Sequence, residues 1–285
     1  MDTNRAVSLV KKTVKILVIA VLAAVIFVSG FELWKISAVY ISEAKTKGSL
    51  AQYRPGGAYN GAPAGSLPAP GNDAENSASG NNSADINNAG KSVHADTDSH
   101  RYVKVIVNQS IVDMRNEVNR AAVGWLTIPE TRIDYPFVLG ADNSYYLGRD
   151  IYGNDAVAGT LFMDCRCSAD FTDFNTIIYG HNMKNNSMFG DLSHFADTWF
   201  FENNRYGTIY LDDGTYTLEI FAYMVVSAED KVIYNPAVDR TGLYEYAEKY
   251  ARNYRTPDLS ANVVTLSTCG YEFSGARIVL LANIT

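Results

Sequence analysis

The chain changes its hydrophobic pattern three times. Residues Ile16 to Phe31 are apolar or small without a single charge, after Arg5, Lys11, Lys12 and Lys15. From Gly56 to Gly90 every residue is Gly, Ala, Pro, Ser or Asn except Tyr59, Leu67, Asp73, Glu75, Asp85 and Ile86. Beyond Arg101 the pattern becomes that of a folded domain. Val107, Ile111, Met114 and Val118 recur at spacings of four, three and four, which predicts a helix with one apolar face. The period then shortens. Residues 123–128, 133–139, 160–163, 176–179, 208–211, 216–226, 263–266 and 278–281 read as strands, with turns at Pro129-Glu130-Thr131 and Asp213-Gly214. Residues 188–201 and 241–254 read as helices. About eight strands and three helices without repeats predict one mainly β domain, a barrel or sandwich with helices at its periphery, including an N-terminal one.

The two other patterns set the domain organisation. The charge-free run is at the short end for a membrane span, which takes about 20 residues, but Lys15 and Trp34 extend it by snorkelling and interfacial seating. Residues 1–34 are therefore expected to be a cytoplasmic N-terminus and transmembrane anchor, with everything after them outside the cell because the basic residues precede the span. The rival reading is a cleaved signal peptide, for which Val28-Ser29-Gly30 is a poor cleavage site. Residues 35–100 are expected to be a flexible extracellular linker, since so polar and small a composition buries too little apolar surface to offset its ordering entropy. Residues 101–285 are the expected folded domain. The formal net charge of −7 argues against nucleic acid as a partner, which would require a basic surface.

Chemistry concentrates in two strand ends. Val263 to Leu266 and Ile278 to Leu281 are β-branched runs around a short connection with Gly270 and Gly275. Cys269 closes the first and Arg277 opens the second, so an antiparallel pairing sets a thiol opposite a guanidinium. A cationic neighbour stabilises a thiolate, the reactive form of cysteine. His181 follows the apolar run Ile177 to Tyr179 and Gly180, at a third strand end. Cys269, His181 and Arg277 thus supply a nucleophile, a general acid and base, and a fixed donor for developing oxyanion charge. No carboxylate is evidently placed to orient His181, so a Cys-His-Arg constellation describes the set better than a triad. The bland readings are a buried structural Cys269, a turn-forming His181 and an Arg277 that balances Glu272. His194, within a helical stretch, reads as ordinary packing.

Those residues carry a resemblance. Thr265-Leu266-Ser267-Thr268-Cys269 followed by Arg277, with Tyr179-Gly180-His181-Asn182-Met183 upstream, resembles a sortase of class B. Gly124 to Ile128, Ile133 to Pro136, Asp142 to Leu147, and Asn182 to Leu192 read as segments of the same class. The resemblance implies a sortase-type β-barrel, a single N-terminal membrane anchor and no cofactor or metal. It implies a cysteine transpeptidase that cuts surface proteins after Thr in a C-terminal motif of the Asn-Pro-x-Thr-Asn kind and passes the acyl group to a cell-wall amine, as in Gram-positive bacteria. It also implies that Ser267, Asn143 and Leu147 line the substrate groove. A cysteine endopeptidase without acyl transfer and a non-enzymatic surface binding module are the alternatives. One departure is Asp164-Cys165-Arg166-Cys167, where the cysteines replace an expected aromatic and a polar residue. That segment is expected to lie away from the catalytic motifs, its cysteines reduced or loosely linked and without a catalytic role.

Overall fold

A computed structural model describes residues 3–56 and 107–285. Nine strands form one sheet: β1 (Ala122–Thr127), β2 (Asp134–Leu139), β3 (Leu161–Met163), β4 (Asn175–Tyr179), β5 (Tyr206–Leu211), β6 (Thr215–Ser227), β7 (Asn253–Tyr254), β8 (Asn262–Cys269) and β9 (Ala276–Ile284). Their spatial order is β5-β1-β2-β3-β4-β8-β9-β6-β7, and β5 pairs again with β6. Eight strands therefore close into a barrel, with the two-residue β7 appended to β6. Closure leaves none of those eight without two neighbours, which removes the exposed edges an open sheet presents. Most pairings are antiparallel, but β2–β3 and β4–β8 are parallel.

The apolar runs are continuous because many strands are buried on both faces. Val264, Leu266, Ile278 and Leu280 point into the barrel with Phe137, Leu161 and Ile177. Their alternates Val263, Val279 and Leu281 pack outward with Leu243 and Ala247 of α4 (Arg240–Tyr250). Asp239 caps α4 by accepting from Gly242 N at 2.8 Å. On the other side α2 (Gln109–Glu117) buries Ile111 and Met114 against Trp125, Val138 and Phe162. The stretch read as one helix after Met188 is a 3₁₀ segment, Gly190–Ala196, followed by α3 (Thr198–Asn203), whose cap Asp197 accepts from Phe200 N at 2.8 Å. The stretch read as helical to Tyr254 stops at Tyr250, and Asn253–Tyr254 turns into β7.

The expected linker boundary at residue 35 does not describe the chain. Helix α1 runs from Thr3 to Leu50, and a 3₁₀ turn, Ala51–Tyr53, extends it. At 1.5 Å per residue 48 residues reach about 72 Å, far more than the roughly 30 Å of a bilayer core. By length and composition its apolar stretch can cross a membrane. The remainder rests on the barrel. Val39, Glu43, Thr46, Lys47 and Leu50 recur at helical spacing and are sheltered, with Leu50 and Tyr53 buried. Arg54 Nε donates to Asp134 Oδ1 at 2.9 Å, and Tyr53 OH donates to Glu117 at 2.8 Å. Residues 57–106, which hold most of the expected linker and the first six residues of the expected folded domain, lie outside the described residues.

A close passage between two barrel strands tests this packing. A Cβ added to Gly124 would stand 2.4 Å from the backbone oxygen of Tyr210, on the paired strand β5. Backbone cannot rotate away as a side chain can. Gly124→Ala is expected to destabilise the domain by about 1–3 kcal/mol, read as a lower denaturation midpoint. An unchanged midpoint would show that the β1–β5 pairing is looser than this geometry.

Candidate active site

The parallel pairing of β4 with β8 sends both strands out at the same end of the barrel. Tyr179 stands opposite Ser267, and Gly180 N continues the ladder to Ser267 O at 3.1 Å. His181 and Cys269 are the residues that next leave this ladder. Antiparallel β9 begins on the same rim, with Arg277 opposite Cys269. Gly180 is required by space: an added Cβ would lie 2.4 Å from Leu161 Cδ2 and 2.8 Å from Phe189. Two side-chain bonds lock the crossing. Thr268 Oγ1 donates to Gly180 O at 2.7 Å, and Asn182 Nδ2 donates to Cys269 O at 2.7 Å.

His181 Nε2 lies 2.7 Å from the carbonyl oxygen of Leu147. A carbonyl only accepts, so Nε2 carries the proton in this contact and Nδ1 is the nitrogen open for proton exchange. The backbone of Leu147 thus orients the imidazole, a task for which the sequence offered no carboxylate. Arg277 is half-buried and donates through Nη1 to Ala276 O at 2.9 Å. Among the described residues no carboxylate, Glu272 included, comes within ion-pair distance of it. His194 packs edge-on to Phe200 beside Asp191, away from this rim.

A groove of about 360 Å³ runs along the rim, lined by Cys269, His181, Arg277, Ser267, Asn143 and Leu147 together. A second cavity of about 270 Å³ lies between α1 and the barrel, and neither cysteine nor histidine lines it. The groove has further walls that sequence reasoning missed: Asp164, Arg166, Tyr179 and Tyr234. Asp164 is fully buried and gathers them. Its carboxylate accepts from Arg166 Nε and Nη2, both at 2.8 Å, from Arg166 N at 3.0 Å, from Tyr179 OH at 2.9 Å and from Asn143 Nδ2 at 3.1 Å. Burial alone would raise its pKa, but the hydrogen bonds and charge of Arg166 outweigh that and hold it below the usual carboxylate value. Tyr234 OH pairs with Ser267 Oγ at 2.8 Å, and burial pushes its hydroxyl up to about 12. The segment Asp164–Cys167, expected to lie away from the chemistry, therefore forms part of the groove. The reason is topological: β3 runs antiparallel to β4, so the turn after Met163 folds back beside Ile177.

Cys165 is exposed, Cys167 is buried, and all three cysteines are free. Burial pushes the Cys167 thiol up to about 11. Among the described residues no group of three His, Cys, Asp or Glu side chains gathers as a metal site.

With the geometry in hand, comparison with known proteins decides the family. The model of the sortase domain matches residues 126–285. The chain belongs to the sortase family. A sortase B of Listeria monocytogenes is 35% identical over 178 residues, which are 59% of this chain and 71% of that protein. A solved sortase B of Clostridium perfringens is 30% identical with a TM-score of 0.55, covering 61% of this chain and 98% of its own. The Staphylococcus aureus sortase B–substrate complex is 26% identical with a TM-score of 0.57, over 63% of this chain and 86% of its own. These relatives are class B sortases, and their fold is the closed barrel described above. The sortase is accordingly an enzyme, a cysteine transpeptidase by family.

The cysteine pair gives a check on this rim. In the folded sortase, at about pH 8.5, iodoacetamide is expected to alkylate exposed Cys165. Cys167 should resist until the pH nears about 11 or the protein unfolds. A raised thiol pKa means that folding favours the neutral form. That contribution is full below the unfolded value and is lost as pH rises through the folded one. Peptide mapping by mass spectrometry reads both sites, and equal labelling of the two at the lower pH would contradict the placement of Cys167.

Proposed function

We propose that this sortase cleaves a C-terminal motif of the Asn-Pro-x-Thr-Asn kind after Thr and transfers the acyl group to a cell-wall amine. Cys269 attacks the Thr carbonyl carbon as thiolate. The carbonyl oxygen takes up negative charge, and Arg277 faces it as a fixed cation. Collapse of the adduct breaks the peptide bond, and His181 gives the departing amine its proton through Nδ1. The result is a thioester on Cys269. An incoming amine then loses its proton to His181 as it attacks, and the thiolate leaves. Ser267, Asn143 and Leu147 shape the groove, the last also fixing His181 through its carbonyl. In this reading α1 anchors the enzyme as a single span, its N-terminus in the cytoplasm and its catalytic domain outside, where surface proteins and peptidoglycan amines are met.

The observation that carries the reading is the common rim of Cys269, His181 and Arg277 beside an open groove. Hydrolysis without acyl transfer is the competing outcome and differs only in whether water replaces the amine.

The test uses full-length protein in detergent micelles, sorting-type peptides, and a glycine-based amine, followed by mass spectrometry. A cut after Thr with amine-linked product is expected, abolished by Cys269→Ala. Arg277→Ala is expected to lower kcat by about 100-fold or more, the usual loss for one oxyanion donor. Cleavage by the Cys269→Ala protein would sink the proposal. Products carrying water alone, with every amine offered, would favour the endopeptidase.

A further inference from the structure

We infer that Arg166 reads a hydrogen-bond acceptor on the acyl half of the substrate, about four residues back from the scissile bond: the carboxamide of the leading Asn in a motif of the Asn-Pro-x-Thr-Asn kind. This rests on the reading above and adds a specificity-determining residue to it.

Arg166 lines the groove with 55% of its side chain exposed. Its Nε and Nη2 are committed to Asp164, and Nη2 also reaches Tyr234 O at 2.9 Å. Nη1 has no protein partner among the described residues, so its two hydrogens remain for a ligand. The guanidinium is already held by a buried carboxylate, which means little rotamer freedom is lost when it binds. Lysine cannot reproduce this, having one nitrogen to divide between Asp164 and a ligand.

Position follows from register. Met163 pairs with Ile178, and Asp164 N donates to Ile177 O at 2.9 Å, four residues before His181 on β4. At roughly 3.3 Å per residue that sets Asp164, the anchor of Arg166, about 13 Å from His181 along β4, a length an extended peptide covers in about four residues. The acyl half is the one to hold there. It stays on Cys269 through both steps, whereas the amine half departs and is replaced. Charge agrees with an acceptor: Asp164 is paired with Arg166, and Arg277 has no carboxylate partner, so the open charged groups of the groove are cationic.

The test measures binding, which keeps it separate from turnover. Full-length protein carrying Cys269→Ala, in detergent micelles, is titrated into fluorescein-labelled Asn-Pro-Gln-Thr-Asn peptide and a version beginning with Leu. The Asn peptide is expected to bind about tenfold tighter, the scale of one hydrogen bond to a charged group. Adding Arg166→Gln should abolish the difference, and Arg166→Lys should not restore it. Asp164→Asn, which keeps Arg166 but loosens its clamp, should reduce the difference. Because the peptide is varied against each protein, a general loss of fold would weaken both peptides rather than equalise them. Full discrimination in the Arg166→Gln protein overturns this inference and leaves the proposed function standing. Failure of every peptide to bind the parent protein overturns both.

Discussion

The site depends on one pairing: β4 lies parallel to β8, in register from Asn175–Val263 to Tyr179–Ser267. Parallel neighbours end on the same rim, so His181 and Cys269 emerge side by side although 88 positions separate them in the chain. Had these strands been antiparallel, one group would sit at the far end of the barrel. The pairing is fixed from within by side chains that suit a buried strand on both faces. It is fixed again where it ends, by Thr268 donating to Gly180 O and Asn182 to Cys269 O. Reactive groups are thereby held on rigid backbone while their side chains stay open to a ligand. Arg277 needs no separate device, since the β8–β9 hairpin register delivers it opposite Cys269.

A second requirement is that the walls of the groove, drawn from several segments, keep one shape. Asp164 meets it. A fully buried carboxylate is costly unless its oxygens are satisfied, and here five donors surround it. Those donors belong to the 143 loop, the turn after β3 and the end of β4. Arg166 then passes the constraint to Tyr234, whose hydroxyl holds Ser267 two residues before Cys269. Removing the carboxylate would release four pieces of the groove at once, and the cost would appear as lost order more than as lost contact area. The charge of Asp164 is stabilised in the fold, so its contribution is present above the ordinary carboxylate range. It is lost only as pH falls through a lower, folded value.

The shared rim of Cys269, His181 and Arg277 was legible because each residue ends or begins an apolar β-branched run, and such runs announce strands. The eight barrel strands were legible for the same reason, with boundaries shifted by at most three residues. Asp164 and Arg166 were not. Nothing local shows that Asp164 and its neighbour Arg166 also gather Tyr179 and Asn143, 15 and 21 positions away. The register of β3 against β4, which places that turn in the groove, is information of the sheet and not of the segment. The orienting carbonyl of Leu147 is invisible in principle, since every residue has one. The continuation of α1 was missed for a different reason. Its sheltered face contains Glu43, Thr46 and Lys47, so the helical period exists in burial but not in hydrophobicity.

That polar face also joins α1 to the loop beside the groove. Tyr135 OH donates to Glu43 at 3.3 Å and accepts from Met188 N at 3.3 Å, while Asn185 Nδ2 donates to the other Glu43 oxygen at 3.4 Å. Arg132 Nη1 holds Asn185 O at 2.6 Å, and Lys47 reaches Arg132 O at 3.4 Å. These are individually long or exposed bonds, each of small net worth. They converge on the loop that begins with His181 and Asn182. In that loop Asn186 and Met188 adopt positive φ, 63° and 54°, which side-chain-bearing residues keep only when their surroundings determine it. Glu43 and Tyr135 are part of those surroundings. The helix that carries the apolar stretch and the loop that carries the histidine therefore share one packed interface. The 181–190 loop is ordered by contacts on both its barrel side and its α1 side.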